Sequence, residues 1–158
     1  MPSSWKQLTF IPSSEALHEL REQWSWLVDA TMQPFLCSAS GDVFFEATDL
    51  AIHRLDTGQG RLERIASNRE EFLREIRKDS GAEWLLSPVI DQLLEAGAPL
   101  SPDQCFGFKV MPILGGTYTP DNMVPMSAIS WYGFSGYVHH QIKALPEGTQ
   151  VSFSIDET

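Results

Sequence analysis

Leu17, Leu20, Trp24, Leu27 and Val28 recur at helical spacing in the first part of the chain. They predict an amphipathic helix over residues 14–29, with Ser14 as its cap. After Pro34 the apolar residues shorten into runs broken by turn residues. Strands are predicted over 35–38, 43–47, 51–55 and 61–66. Ser40-Gly41-Asp42 turns the chain between the first two, and Asp56-Thr57-Gly58-Gln59-Gly60 forms a glycine-bearing hairpin loop before the last. Four short runs with such turns read as an antiparallel meander.

Helical spacing returns at Ser67, which forms a capping box with Glu70, and Phe72 and Ile76 point inward. A second box, Ser80 with Glu83, starts another helical piece. Pro88 marks a restart and Gly97 an end. Residues 98–103 form a polar loop and the best candidate boundary. Beyond it, 105–111 reads as a strand, 112–122 as an irregular glycine-bearing segment, and 123–126 as a short strand. Ser127 caps a helix to about Leu145. On that helix Trp131, Phe134, Val138, Ile142 and Leu145 form one stripe. Pro146-Glu147-Gly148 is a turn, and Val151, Phe153 and Ile155 alternate as in a half-buried strand. The fold class is α+β, an antiparallel sheet or meander with flanking helices. Residues 1–33 form an N-terminal helical segment and 34–158 one compact unit with a soft boundary near 98–103.

Composition narrows the function classes. With 158 residues and 42% hydrophobic content, the chain has the means for a real core. Its net charge of −10 disfavours direct binding to nucleic acid or anionic lipid, and it steers a basic protein toward the surface. No apolar run has the ~18 residues of a membrane span. The start, MPSSWKQLTF, lacks a basic segment followed by an apolar run, so it is not read as a signal peptide, and the expected location is the cytoplasm. Cys37 and Cys105 lie in apolar surroundings and are read as buried free thiols.

Candidate chemistry is sparse. His139 and His140 are adjacent and point about 100° apart on a helix, so they make no metal clamp. No metal or cofactor is expected. Gly133-Phe134-Ser135-Gly136 is one residue short of a nucleophile elbow and lies within helical periodicity. The glycines Gly133 and Gly136 leave room for another backbone to approach closely, either inside the fold or at a partner surface. No catalytic residue is assigned, and the chain is read as a non-enzyme that binds another protein.

Several separated motifs carry a family resemblance. Gly41-Asp42-Val43-Phe44-Phe45, Leu55-Asp56-Thr57-Gly58-Gln59-Gly60 and Ile65-Ala66-Ser67 are followed by Gly115-Gly116-x-Tyr118-x-x-x-Asn122. The serine-capped helix, His139-x-Gln141-Ile142 and Leu145-Pro146-Glu147-Gly148-Thr149-Gln150-Val151 complete the set. Together they resemble the type VI secretion DNase-immunity family, in which a GAD-like domain often precedes the C-terminal domain. One departure is the first turn after Ser127, which reads Ala128-Ile129-Ser130 where an acidic residue is expected. The resemblance implies an immunity protein that binds and neutralises a cognate toxin, a basic DNase. Gly115, Gly116, Tyr118, Asn122, Trp131, His139 and Gln141 are its candidate partner-binding residues. Two alternatives stay open. An adaptor or ligand-binding domain akin to SUKH modules predicts a pocket lined by Tyr118 and Trp131. A hydrolase predicts a polar cleft holding a perturbed His139 or His140.

Overall fold

A computed structural model describes residues 5–151. A short helix α1 (Trp5–Leu8) leads into β1 (Thr9–Phe10), followed by α2 (Ser14–Trp24). Strands β2 (Gln33–Ser38), β3 (Val43–Glu46), β4 (Ile52–Asp56) and β5 (Arg61–Ala66) come next. Helices α3 (Arg69–Glu75), α4 (Asp79–Leu85) and α5 (Ser87–Glu95) precede β6 (Gln104–Phe108), β7 (Met123–Ser127) and α6 (Ala128–Ile142). Strands β1 to β5 form one antiparallel sheet in sequence order, while β6 and β7 form a separate antiparallel pair. The expected α+β meander is therefore present, and β1 extends it by one strand the periodicity did not reveal.

The central strand β3 shows how the layers stack. Val43, Phe44 and Phe45 are all buried, although neighbouring strand residues point to opposite faces. Phe44 meets Phe72 of α3 at 5.0 Å between ring centroids. Phe45 shares a groove with Leu20 and Trp24 of α2 on the other face. A strand covered on both sides requires an apolar run, and Val-Phe-Phe supplies it.

Helices α2 and α6 pack against each other. A methyl group at Gly136 would come within 2.7 Å of the Gln23 carbonyl and Cβ, and one at Gly133 would meet the Glu19 carboxylate at 2.6 Å. The glycine face therefore serves an internal contact. The Trp24 indole crosses the same interface and donates to the Tyr132 carbonyl at 3.1 Å. Because α2 seats against Gly133 and Gly136, the inward face of α6 is Trp131, Tyr132, Ser135, Val138 and His139. Phe134 and Leu145, expected in the apolar stripe, are exposed.

Several boundaries differ from expectation for local reasons. The cap of α2 is Ser13, whose hydroxyl accepts from the Ala16 amide, and Ser14 is the first helical residue. The helix stops at Trp24, not near residue 29. Residues two apart point about 200° apart on a helix, yet Trp24 and Trp26 stack on each other and Trp26 stacks on His140 of α6. The chain leaves the helix to bring both indoles to one side. Asn68, not Ser67, caps α3, because β5 keeps the chain extended through Ala66. Glu71 accepts from the Ser67 amide, so the box is displaced by one residue. Ser80 is inside α4, and its hydroxyl donates to the Glu75 carbonyl instead of forming a box with Glu83. Strand β6 ends at Phe108 instead of Met111, since the Asn122 side chain takes over the pairing of Val110. Helix α6 starts at the predicted Ser127 cap but ends at Ile142. The strand expected from Val151 lies, after its first residue, outside the described residues.

Gly136→Ala tests the α2–α6 contact. Alanine gains ~1 kcal/mol of helix propensity, but overpacking costs ~1–3 kcal/mol. A lower urea midpoint is expected, and an unchanged or higher one contradicts this packing.

Candidate functional site

The β4–β5 loop is anchored by a residue with all its backbone and side-chain polar atoms engaged. Thr57 is fully buried. Its amide donates to Asp42 Oδ1 at 3.0 Å, and its hydroxyl donates to the Gly41 carbonyl at 2.9 Å. The same hydroxyl accepts from Trp131 Nε1 at 2.9 Å. Its carbonyl accepts from His139 Nε2 at 2.8 Å, which sets the proton on that ring nitrogen. Two glycines permit this. Gly41 has φ +92° and lies under the Trp131 indole, and Gly60 has φ +71° and lies against the His139 ring. A Cβ at either position would collide with those rings, and L-residues resist these angles.

Asp42 continues the network. Arg54 grips its Oδ2 through Nη2 at 2.8 Å and Nε at 3.1 Å. The guanidinium also lies 3.4 Å from Glu63 and 3.7 Å from Asp56. Burial raises the Asp42 carboxyl to about 6, with Arg54 pulling it down and Asp56 pushing it further up. Phe44, Arg54 and Glu63 are register neighbours and so share one face of the sheet, the face that α3 covers. This pairing opens into a cleft of about 470 Å³ whose walls include Asp56, Glu83, Trp84, Phe108 and Tyr118.

The far wall belongs to the 109–122 loop. Asn122 holds that loop shut. Its side-chain amide donates to the Val110 and Thr117 carbonyls, and its carbonyl oxygen accepts from the Val110 amide. Gly116 lies so close to the Val110 carbonyl that no Cβ fits, and Gly115, at φ +94°, ends a 3-10 turn. The loop exposes Val110 (49%), Ile113 (43%) and Tyr118 (42%). Tyr118 accepts from Gln59 Nε2 at 2.9 Å and sets its ring edge-on to Phe108.

The candidate residues thus fall into two groups. Tyr118 and Gln141 are exposed, although on different elements, and Gly115, Gly116 and Asn122 shape the loop that carries Tyr118. Trp131 (0%) and His139 (2%) are buried, and a ring nitrogen of each bonds Thr57. The cleft contains Tyr118 but neither Trp131 nor a histidine. His140 is exposed and stacked on Trp26. Asp42 and Thr57 were legible only as parts of turn and family motifs, and Arg54 not at all. The signal available for Thr57 was its parity with buried Leu55, two residues earlier. Both cysteines are free and buried, and burial pushes the Cys37 thiol up to about 12. Among the described residues, no cluster suited to a metal ion is found, and no helix is long and apolar enough to cross a membrane.

Thr57→Val removes the acceptor of a buried indole N–H. The variant is expected to lose about 1–3 kcal/mol of stability, and equal unfolding midpoints would contradict the role given to Thr57. His139 gives a pH test. Burial holds its pKa below the usual 6.5, while the Thr57 carbonyl and Asp56 pull upward. The unfolded chain takes up a proton that the folded chain resists, so His139 costs stability as the pH falls through 6.5. Asp42 has a raised pKa and acts with the opposite sign, but it cancels when wild type is compared with His139→Gln. The stability of wild type minus that of the variant should shrink from about pH 7.5 to about pH 5.5. A constant difference would refute the assignment.

The comparisons with known proteins agree with this architecture. No curated protein matches the sequence. Among solved structures, the crystal structure of Atu4351 from Agrobacterium tumefaciens superposes with a TM-score of 0.58 at 15% identity, covering 84% of this chain and 68% of that one. At this identity the likeness is one of fold. A family model, T6SS immunity protein Tdi1, C-terminal, matches residues 66–139, from the end of β5 through the 109–122 loop to His139. Residues 66–139 of this chain are therefore similar to the C-terminal family of the T6SS immunity protein Tdi1.

Proposed function

We propose that the chain is an immunity protein that binds a cognate type VI secretion toxin, a basic DNase, and neutralises it without turnover. The match of residues 66–139 to an immunity family carries this reading. Geometry and charge support it. The 109–122 loop presents three apolar side chains on a backbone braced by Asn122, and rigid apolar anchors of this kind lower the ordering cost of association. A nuclease groove that holds DNA is basic, and a chain of net charge −10 is drawn to it quickly and in a salt-dependent way. Tyr118, at the edge of the cleft, is the proposed central contact. Gly115, Gly116 and Asn122 set the loop's shape, Trp131 and His139 hold the Thr57 loop beneath it, and Gln141 extends the surface along α6. The proposed site of action is the cytoplasm, where a DNase would reach the chromosome.

Co-expression with the product of the gene beside this chain's own tests the reading. Survival of the host and loss of DNA cleavage in a purified 1:1 mixture are expected. A neighbour that is neither bound nor inhibited contradicts it. Tyr118→Ala should weaken the complex by about tenfold or more with little change in stability. Trp131→Phe should mainly lower stability. Unchanged affinity in Tyr118→Ala would remove that residue from the interface.

A further inference from the structure

Arg54 carries one positive charge and faces three carboxylates within 4 Å, those of Asp42, Glu63 and Asp56. Two negative charges at the floor of the cleft are thus left uncompensated. Glu83 adds another at the wall and has no ion-pair partner among the described residues. Arg61 supplies the one other cation of the cleft, register-paired with Asp56 across β4–β5. The lining is net acidic even so. The same cleft has aromatic side chains in its lining, Trp84 from α4 and Tyr118 from the 109–122 loop, and that loop also carries the exposed apolar Val110 and Ile113. An acidic hole with aromatic sides beside an apolar rim has the form of a pocket for a cationic anchor residue. A planar guanidinium suits it better than an ammonium, because it stacks on rings while its edge donates to carboxylates.

We propose that this cleft receives an arginine side chain of the toxin. The inference rests on the immunity reading for its partner, but the pocket's preference for a guanidinium is independent of it. A cationic side chain entering here would meet carboxylates already gathered by the fold, and the Thr57 network fixes the Asp42 end of that floor. Burial is the main cause that raises the Tyr118 pKa; the Gln59 hydrogen bond lowers it, Asp56 and Asp42 raise it, and Arg54 lowers it.

Two measurements on the full chain test the proposal. The first titrates N-acetyl-arginine amide into the labelled protein and follows the Trp84 indole resonance, assigned with Trp84→Phe. A saturable shift is expected. It should be absent with the uncharged citrulline analogue and lost in Glu63→Gln/Glu83→Gln. An unmoved Trp84 signal, or an equal response to citrulline, overturns the pocket. The second measures toxin affinity. Glu63→Gln/Glu83→Gln should weaken binding by about tenfold or more, whereas Glu15→Gln/Glu22→Gln on α2, with the same charge removed, should change it by less than about threefold. Equal losses in the two variants overturn the proposal while leaving the immunity reading intact. An arginine-dependent Trp84 shift in a chain that binds no toxin supports the guanidinium pocket and defeats the immunity reading.

Discussion

Thr57 donates its amide to Asp42 and its hydroxyl to the Gly41 carbonyl, while its carbonyl accepts from the His139 ring and its hydroxyl accepts the Trp131 indole N–H. These bonds join the β2–β3 turn, the β4–β5 loop and α6 at one buried point. A polar group at such depth costs stability unless it is paired, so each partner depends on the others being in place. Any repacking that moved α6 away from the sheet would leave the Trp131 indole donor, the His139 ring donor and the Thr57 carbonyl unpaired together. The network therefore fixes the position of α6 more narrowly than apolar burial does, since apolar contact tolerates sliding.

That position determines what the surface presents. With α6 seated, the Trp131 ring lies 6.0 Å from Phe108, and Phe108 supports Tyr118 edge-on at 5.5 Å. Tyr118 in turn binds Gln59, two residues from Thr57. The chain of contacts runs from the buried hub to an exposed aromatic at the edge of the acidic cleft. In the proposed complex Trp131 and His139 would hold the binding face and Tyr118 would touch the partner, different physical roles for residues that look alike in sequence. On the opposite side, α2 lies against the glycines of α6 and spends the small-residue face on the fold itself.

The meander was legible because its strands alternate or run apolar between turn residues that have few other uses, as at Gly41-Asp42 and Gly58-Gln59-Gly60. Ser127 was legible as a cap because a hydroxyl three residues ahead of the first free amide has one obvious partner. Capping failed as a guide at Ser67 and Ser80, where strand pairing through Ala66 and the approach of α3 to α4 decided the start. The site was legible only in part. The 109–122 loop declared itself through glycines and Asn122. The hub did not, because the Trp131–Thr57 bond spans 74 residues and no local pattern records it. His139 looked like a surface ligand although Trp131, Ser135 and His139 repeat every four residues on the buried stripe. The Arg54–Asp42 pair escaped because charged residues in strands and turns are ordinarily exposed, and only the tertiary fold brings these two under cover.

Hydrogen exchange of the chain alone and in complex with its toxin tests the central claim most directly, namely that the hub-braced loop and cleft form the binding face. Added protection is expected in residues 109–118, in the 56–63 hairpin and around Glu83, with the outer side of α2 unchanged. Protection concentrated on α2 or at the β1 edge, with the loop and hairpin exchanging as in the free chain, would contradict the account.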